Sequence, residues 1–160
     1  MNIPEKVFIV PYRDRPAQKK VFIKIMSEIL EDENYLILFI HQNDKRNFNR
    51  GAMKNIGFIY VKNTWPDNYK NITLIFHDID VLPYYKGQIN YNTEKGVATH
   101  LYGYTHVHAL GGIWAIKAED FEKSTGFANF WCWGFEDNII YERCFLSKIK
   151  YDKSKMIAVN

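Results

Sequence analysis

Residues 76–83 read Phe-His-Asp-Ile-Asp-Val-Leu-Pro, an apolar β-type run that delivers Asp78 and Asp80 to its carboxyl end and stops at Pro83. If the backbone is still extended there, residues two apart share a face, so the two carboxylates point together while His77 and Ile79 point away. Converging carboxylates repel one another unless a positive charge lies beside them. An oxygen-only pair suits a hard divalent ion, Mn2+ or Mg2+, that bridges a diphosphate. The same tripeptide also fits a strand-end turn. Arg13 and Arg15, two apart, can face one anion with guanidinium geometry matched to phosphate, or stand on a solvated loop. Near the C-terminus, residues 126–138 combine Gly126, an aromatic wall that includes Trp133, and the adjacent acids Glu136 and Asp137. Trp133 there can stack on a sugar ring while an acid beside it takes a hydroxyl proton, although core tryptophans and capping acids also fit. His100, His106 and His108 cluster around Tyr102-Gly103-Tyr104, and His106 and His108 could face a metal or simply lie on a surface strand.

Elements must place these groups. Residues 6–10 form a short buried strand that runs into the polar cluster of residues 11–16, and Pro16 opens a helix on which Val21, Phe22, Ile25, Met26, Ile29 and Leu30 recur with helical period. Residues 35–40 are nearly all apolar, as in a strand covered on both faces. Asn49 then caps a helix carrying Ala52, Met53, Ile56 and Tyr60 on one side. Arg50 falls in that helix's first turn, against the dipole, which fits a ligand carrying negative charge or an acidic partner. Residues 72–76 form the strand that bears the two aspartates, residues 96–100 a further short strand, and the Gly111-Gly112 turn feeds another at 113–116, where backbone can approach a ligand closely. A last helix spans about 136–148 with Glu136 and Asp137 in its first turn. Strand alternating with helix, and polar groups gathered at strand ends, defines an α/β class with an open sheet that binds ligand at the carboxyl ends.

The 160 residues suit one domain, residues 1–160, and the 47% hydrophobic content excludes global disorder. A formal charge of +3, with basic residues scattered among acids, does not argue for nucleic acid. No apolar run reaches the roughly 18 residues of a membrane span, and the first residues lack a signal-peptide pattern, so the expected setting is soluble and cytoplasmic. Cys132 and Cys144 form neither a disulfide framework nor, lacking neighbours at ligand spacing, a metal pair.

Four ordered segments carry a resemblance: residues 10–15 (Val-Pro-Tyr-Arg-Asp-Arg), 48–58 (Phe-Asn-Arg-Gly-Ala-Met-Lys-Asn-Ile-Gly-Phe), 76–83, and 111–137 with its Gly111-Gly112 and Trp133-Gly134-Phe135-Glu136-Asp137. Together they resemble the β-1,4-galactosyltransferase family, most closely its xylosylprotein branch, over nearly the whole chain. The resemblance implies a GT-A fold, an open mixed sheet with a Rossmann-like nucleotide-binding half, a UDP-sugar donor, a carbohydrate or glycoconjugate acceptor, and a divalent metal, Mn2+ or Mg2+. It implies that Pro11, Tyr12, Arg13 and Arg15, then Phe48 and Arg50, bind the nucleotide. Asp80 is implied to ligate the metal, with Asp78 beside it contacting the nucleotide. Gly112 is implied to meet both substrates, Trp133 and Gly134 to form a sugar-stacking turn, Glu136 to bind acceptor, and Asp137 to act as general base of a single inverting displacement.

The chain also departs from that family. Asn138 stands where the run of acids continues, so acceptor hydrogen bonding differs, and Ala109 stands near a tyrosine that contacts the donor sugar. The family's later metal ligands have no counterpart downstream of Glu136, as in a minimal microbial or viral form. That gap favours an alternative, a nucleotide-sugar- or carbohydrate-binding pseudoenzyme of the same fold, and a metal-dependent phosphoesterase using Asp78, Asp80 and the histidines is a third reading.

Overall fold

The computed structural model describes residues 2–104 and 108–159. Among these, the elements in chain order are β1 (Lys6–Tyr12), α1 (Pro16–Ile29), β2 (Tyr35–His41), α2 (Arg50–Thr64), β3 (Thr73–His77), β4 (Val97–Gly103), β5 (Ile113–Lys117), α3 (Ala118–Lys123), α4 (Glu136–Leu146), β6 (Lys150–Asp152) and β7 (Ile157–Ala158). They build one mixed open sheet in the order β2-β1-β3-β5-β4-β6, with β7 also on β4. β1 pairs parallel with both β2 and β3, and direction then reverses, since β3 and β4 each run antiparallel to β5.

The alternation of strand side chains assigns the core to two layers. Val7, Ile9, Leu74, Phe76, Trp114 and Ile116 point to the face covered by α2, α3 and α4, where Val61, Trp65, Phe121 and Ile140 meet them. Phe8, Val10, Ile75, Ile113 and Ala115 point to the other face, under Phe22, Met26 and Leu30 of the α1 segment. Burial on both faces explains why these strands read as unbroken apolar runs.

β2 is also covered on both faces, but only partly: Leu36, Leu38 and Ile40 pack on one core layer and Tyr35, Ile37 and Phe39 on the other. It lies at the sheet edge beside β1 and is half-buried except at His41, which is exposed, and its apolar composition did not reveal that edge position. The buried stripe of α2 also differs from the expected one. Gly51, Met53, Lys54, Gly57 and Val61 face inward, whereas Ile56 and Tyr60 are exposed. Asn49 does cap the helix, its side-chain oxygen accepting from the Ala52 amide at 2.8 Å.

Close approach of α2 to β1 explains Gly57. A Cβ there would lie 2.5 Å from Cγ2 of Ile9, closer than atoms pack. We therefore expect Gly57→Ala to lose about 1–3 kcal/mol of stability, against the gain that helix propensity alone would give. A urea midpoint at or above the wild-type value would contradict this packing account.

Candidate active site

β3 ends at His77, so the extended backbone stops one residue before the first aspartate. Ile79 and Asp80 lie in a turn closed by the Val81 amide donating to the Asp78 carbonyl at 3.3 Å, and the strict alternation expected for Asp78 and Asp80 does not extend that far. Their carboxylates therefore pair differently. Asp80, half-exposed, accepts from Arg15 Nη1 at 2.9 Å, while Asp78 turns inward to within 3.7 Å of Arg50. Burial, with Asp137 and Asp80 nearby, raises the Asp78 pKa against the opposing pull of Lys54 and Arg50. His77 points away, as expected, into the rings of Phe8 and Phe22.

The His77 Nδ1–H donates to the Asp78 carbonyl at 2.9 Å, and its buried Nε2 has no hydrogen-bond partner. Desolvation pushes its pKa down to about 4 from an ordinary value of 6.5. The folded chain thus holds His77 neutral where the unfolded chain protonates it, so the stability it confers is complete above pH 6.5 and lost as pH falls towards 4. Thermal unfolding followed across that window should show Tm falling with acid more steeply in the wild type than in His77→Phe. Parallel profiles would refute the assignment.

Two adjoining cavities open at this end of the sheet. One, of about 460 Å3, is lined by Pro11, Arg13, Arg15, Phe48, Arg50, Asp78, Asp80 and Trp133, among others. The second, of about 630 Å3, shares Arg50, Asp78, Asp80 and Trp133 and adds Gly112, Gly134, Phe135, Glu136, Asp137 and Asn138. The cationic groups of the first are Arg13, Arg15 and Arg50, set beside the carboxylates of Asp14, Asp78 and Asp80, and the Arg13 guanidinium lies 5.2 Å from the Phe48 ring centre. The second is aromatic and acidic. Nearly all the residues singled out from sequence thus converge on one bipartite cleft.

Tyr12 does not. Alternation along β1 sends Pro11 and Arg13 to the cleft and Tyr12 the other way, where its ring packs 5.0 Å from His41 and under the Lys19 amine. His106 lies outside the described residues. His108 is exposed, its Nδ1 3.3 Å from the Tyr141 hydroxyl, and it lines neither cavity. His100 has a positioning place: one ring nitrogen lies 2.8 Å from the Gly111 carbonyl and the other 2.9 Å from the Tyr151 hydroxyl, and burial lowers its pKa. That contact secures the Gly111-Gly112 turn. Gly112 has φ +70, and a Cβ there would meet the Tyr102 carbonyl at 2.4 Å.

Glu136 and Asp137 occupy the first turn of α4, where the helix dipole favours anions. Arg50 bridges the acids, with Nη2 2.7 Å from Asp137 Oδ2 and Nε 3.3 Å from Glu136 Oε1. Burial works against the Arg50 charge, but Asp78, Asp137 and Glu136 together raise its pKa. A second cation was not singled out from sequence. Lys54, wholly buried, places Nζ 3.3 Å from Asp137 Oδ1 and 4.7 Å from the Phe127 ring centre. Its signal was its place four residues after Arg50, which puts both cations on one helix face. Asn138 lines the cavity and donates its amide to the His108 carbonyl at 3.0 Å.

The donor set fits a hard divalent ion in an open site. Asp80 and Asp78 supply oxygens only, and among the described residues no three His, Cys, Asp or Glu side chains gather into a closed cage. Phosphate oxygens and water would complete the coordination, as Mg2+ and Mn2+ commonly accept.

An open mixed α/β sheet with a bipartite cleft at its strand ends is the GT-A glycosyltransferase fold, and the catalytic domain of Drosophila β1,4-galactosyltransferase 7, in complex with xylobiose, superposes with a TM-score of 0.81 at 25% identity, over 94% of this chain and 65% of that one. The chain belongs to the galactosyltransferase family of glycosyltransferase group 7. Residues 3–92 match the model of the N-terminal region of glycosyl transferase group 7, and residues 95–159 that of the N-terminal domain of galactosyltransferase. It is 32% identical over 151 residues to xylosylprotein 4-beta-galactosyltransferase of Caenorhabditis elegans, covering 88% of this chain and 50% of the relative. Beta-1,4-galactosyltransferase 1 of Bos taurus is 31% identical over 154 residues, 88% of this chain and 36% of its own. The chain thus spans about half the length, or less, of these relatives. A mutant of the Drosophila enzyme, with the same fold match, is a complex with manganese, UDP-Gal and xylobiose. Among the described residues no helix is long and apolar enough to cross a membrane.

Proposed function

We propose that residues 1–160 form one catalytic domain of an inverting hexosyltransferase, which moves a galactose-type hexose from a UDP-sugar to a hydroxyl of a carbohydrate or glycoconjugate acceptor. The observation that carries this reading is the joining of the cationic and acidic cavities at Arg50, Asp78, Asp80 and Trp133. The cationic half has the groups a nucleoside diphosphate needs: Phe48 and Pro11 as apolar walls, and Arg13, Arg15 and Arg50 for phosphate. A Mn2+ or Mg2+ ion, held by Asp80 with Asp78 beside it, would offset the charge developing on the leaving diphosphate. Arg15 must leave Asp80 for that, and the incoming phosphate offers it a replacement.

In the other half, Trp133 and Gly134 form the stacking turn, Glu136 and Asn138 supply hydrogen-bonding groups, and the Gly112 backbone meets both substrates. Asp137 takes the proton of the acceptor hydroxyl as its oxygen attacks the anomeric carbon, and the bond from that carbon to the diphosphate breaks. Gly111 leaves room for this, since even a Cβ there would come within 3.1 Å of Asp137 Oδ2.

One observation favours the binding-protein alternative: Arg50 and Lys54 both engage Asp137, and cations on a carboxylate make it a weaker base. Calorimetry with UDP-Gal, UDP-glucose and GDP-mannose, with and without Mn2+, followed by UDP release with and without xylobiose, separates the two. Metal-dependent UDP-sugar binding with acceptor-stimulated release supports the transferase. Binding without release in any acceptor supports the pseudoenzyme, and failure of every nucleotide to bind rejects both.

A further inference from the structure

Four described non-glycine residues have positive φ, Asp14, Thr125, Phe135 and Lys148, and Phe135 is the aromatic one among them. Its backbone sits at φ 65, ψ −13, the left-handed region that a bulky side chain rarely adopts. It stands at the N-cap of α4 yet provides no side-chain cap hydrogen bond. Its ring is 76% exposed, so it contributes little to the core. Capping and core packing are thus both excluded as reasons for an unfavourable backbone, and Gly or Asn would hold this turn at less strain.

The position of the ring supplies a reason outside the chain. Phe135 lines the larger cavity beside Glu136 and Asp137 but not the cationic one, whereas Trp133, 89% exposed, lines both. Trp133 therefore stands at the junction where the two substrates meet, and Phe135 lies off that junction on the acceptor side. Gly134 between them has φ 120, which allows two successive aromatic side chains of the turn to reach the same cavity.

Resting on the acceptor side assigned under the proposed function, we propose that Phe135 is a specificity-determining residue that forms an additional acceptor subsite. It stacks on an apolar ring face in the group attached to the anomeric carbon of the accepting sugar. That group is the next sugar of a glycan or an aromatic aglycone, and both present the same flat apolar surface to the phenyl ring.

The test measures equilibrium affinity in the presence of UDP and Mn2+, so it does not depend on turnover. Methyl β-xyloside, which lacks the second ring, is compared with xylobiose and with benzyl β-xyloside. Wild type should bind the two-ring ligands about tenfold more tightly than the methyl glycoside, the advantage expected of one stacked ring. Phe135→Gly should bring that ratio close to one, and Phe135→Tyr should keep it. The Gly variant removes the strain, so its Tm should be no lower than wild type, which separates a lost subsite from a lost fold. A preference for benzyl over xylobiose points to an aglycone, and the reverse to a glycan. Absence of any two-ring preference in wild type, or its persistence in Phe135→Gly, overturns the proposal. Calorimetry of UDP alone on the same samples keeps the outcomes apart: loss of UDP binding in wild type rejects the transferase reading, while intact UDP binding with no ring preference rejects this subsite only.

Discussion

Asp137→Asn is expected to remove acceptor-stimulated UDP release, lowering turnover by about 10²–10⁴-fold, the usual contribution of a positioned base. The amide keeps the shape of the carboxylate and cannot take the acceptor proton. Nucleotide affinity should stay near the wild-type value or tighten, because Arg50 loses the negative charge 2.7 Å away and is freer to meet phosphate. Turnover is measured as initial UDP release at saturating donor, and affinity by calorimetry with UDP and Mn2+. Wild-type turnover in the variant would show that the base is another group. A parallel loss of nucleotide binding would assign Asp137 to holding the cationic half of the cleft.

Lys54→Met should cost about 3 kcal/mol of folding stability, near the lower end for breaking a buried charge pair, because Arg50 still faces the same carboxylate. Three acids, Asp78, Glu136 and Asp137, gather around two cations, Arg50 and Lys54. Methionine fills most of the lysine's volume, so the loss reports charge more than packing. Adding Asp137→Asn removes one of the surplus negative charges, and the double variant should be more stable than the sum of the single losses predicts, by about 0.5–3 kcal/mol. Urea unfolding of the four proteins in that cycle gives the coupling directly. A coupling of zero would mean that the 3.3 Å contact between Lys54 and Asp137 carries no energy.

Periodicity was the part of the sequence most open to reading. β1, β3 and β5 are flanked by core on both faces and wrote their positions as apolar runs, and Pro16 and Asn49 marked two helix starts through local chemistry that tertiary contacts did not override. The edge position of β2 left no trace, because an edge strand and a central one differ in their neighbours more than in their own residues. α3, β6 and β7 are six, three and two residues long, too short for a period to emerge. Within the cleft, residue type predicted convergence better than orientation. Arg13, Asp80 and Trp133 all line it, but Tyr12 is turned out by strand alternation, and the turn after His77 separates Asp78 from Asp80. Lys54 was hidden by the usual rule that lysine faces water, a rule that fails when a carboxylate from a helix 83 residues later supplies the partner.

The reversal of strand direction between β3 and β5 bears on how such a protein can diversify. The cationic cavity is built from the turns at the outgoing ends of the parallel strands β1 and β3 and from the start of α2, while the acidic cavity draws on the segments leading into β5 and α4. The two pockets therefore take their linings from different stretches of chain and touch through only four common side chains, Arg50, Asp78, Asp80 and Trp133. Substitutions at Tyr102, Phe135 and Asn138 would reshape the acidic cavity without touching the lining of the other, so the molecule is modular at the scale of loops although it is woven as one sheet.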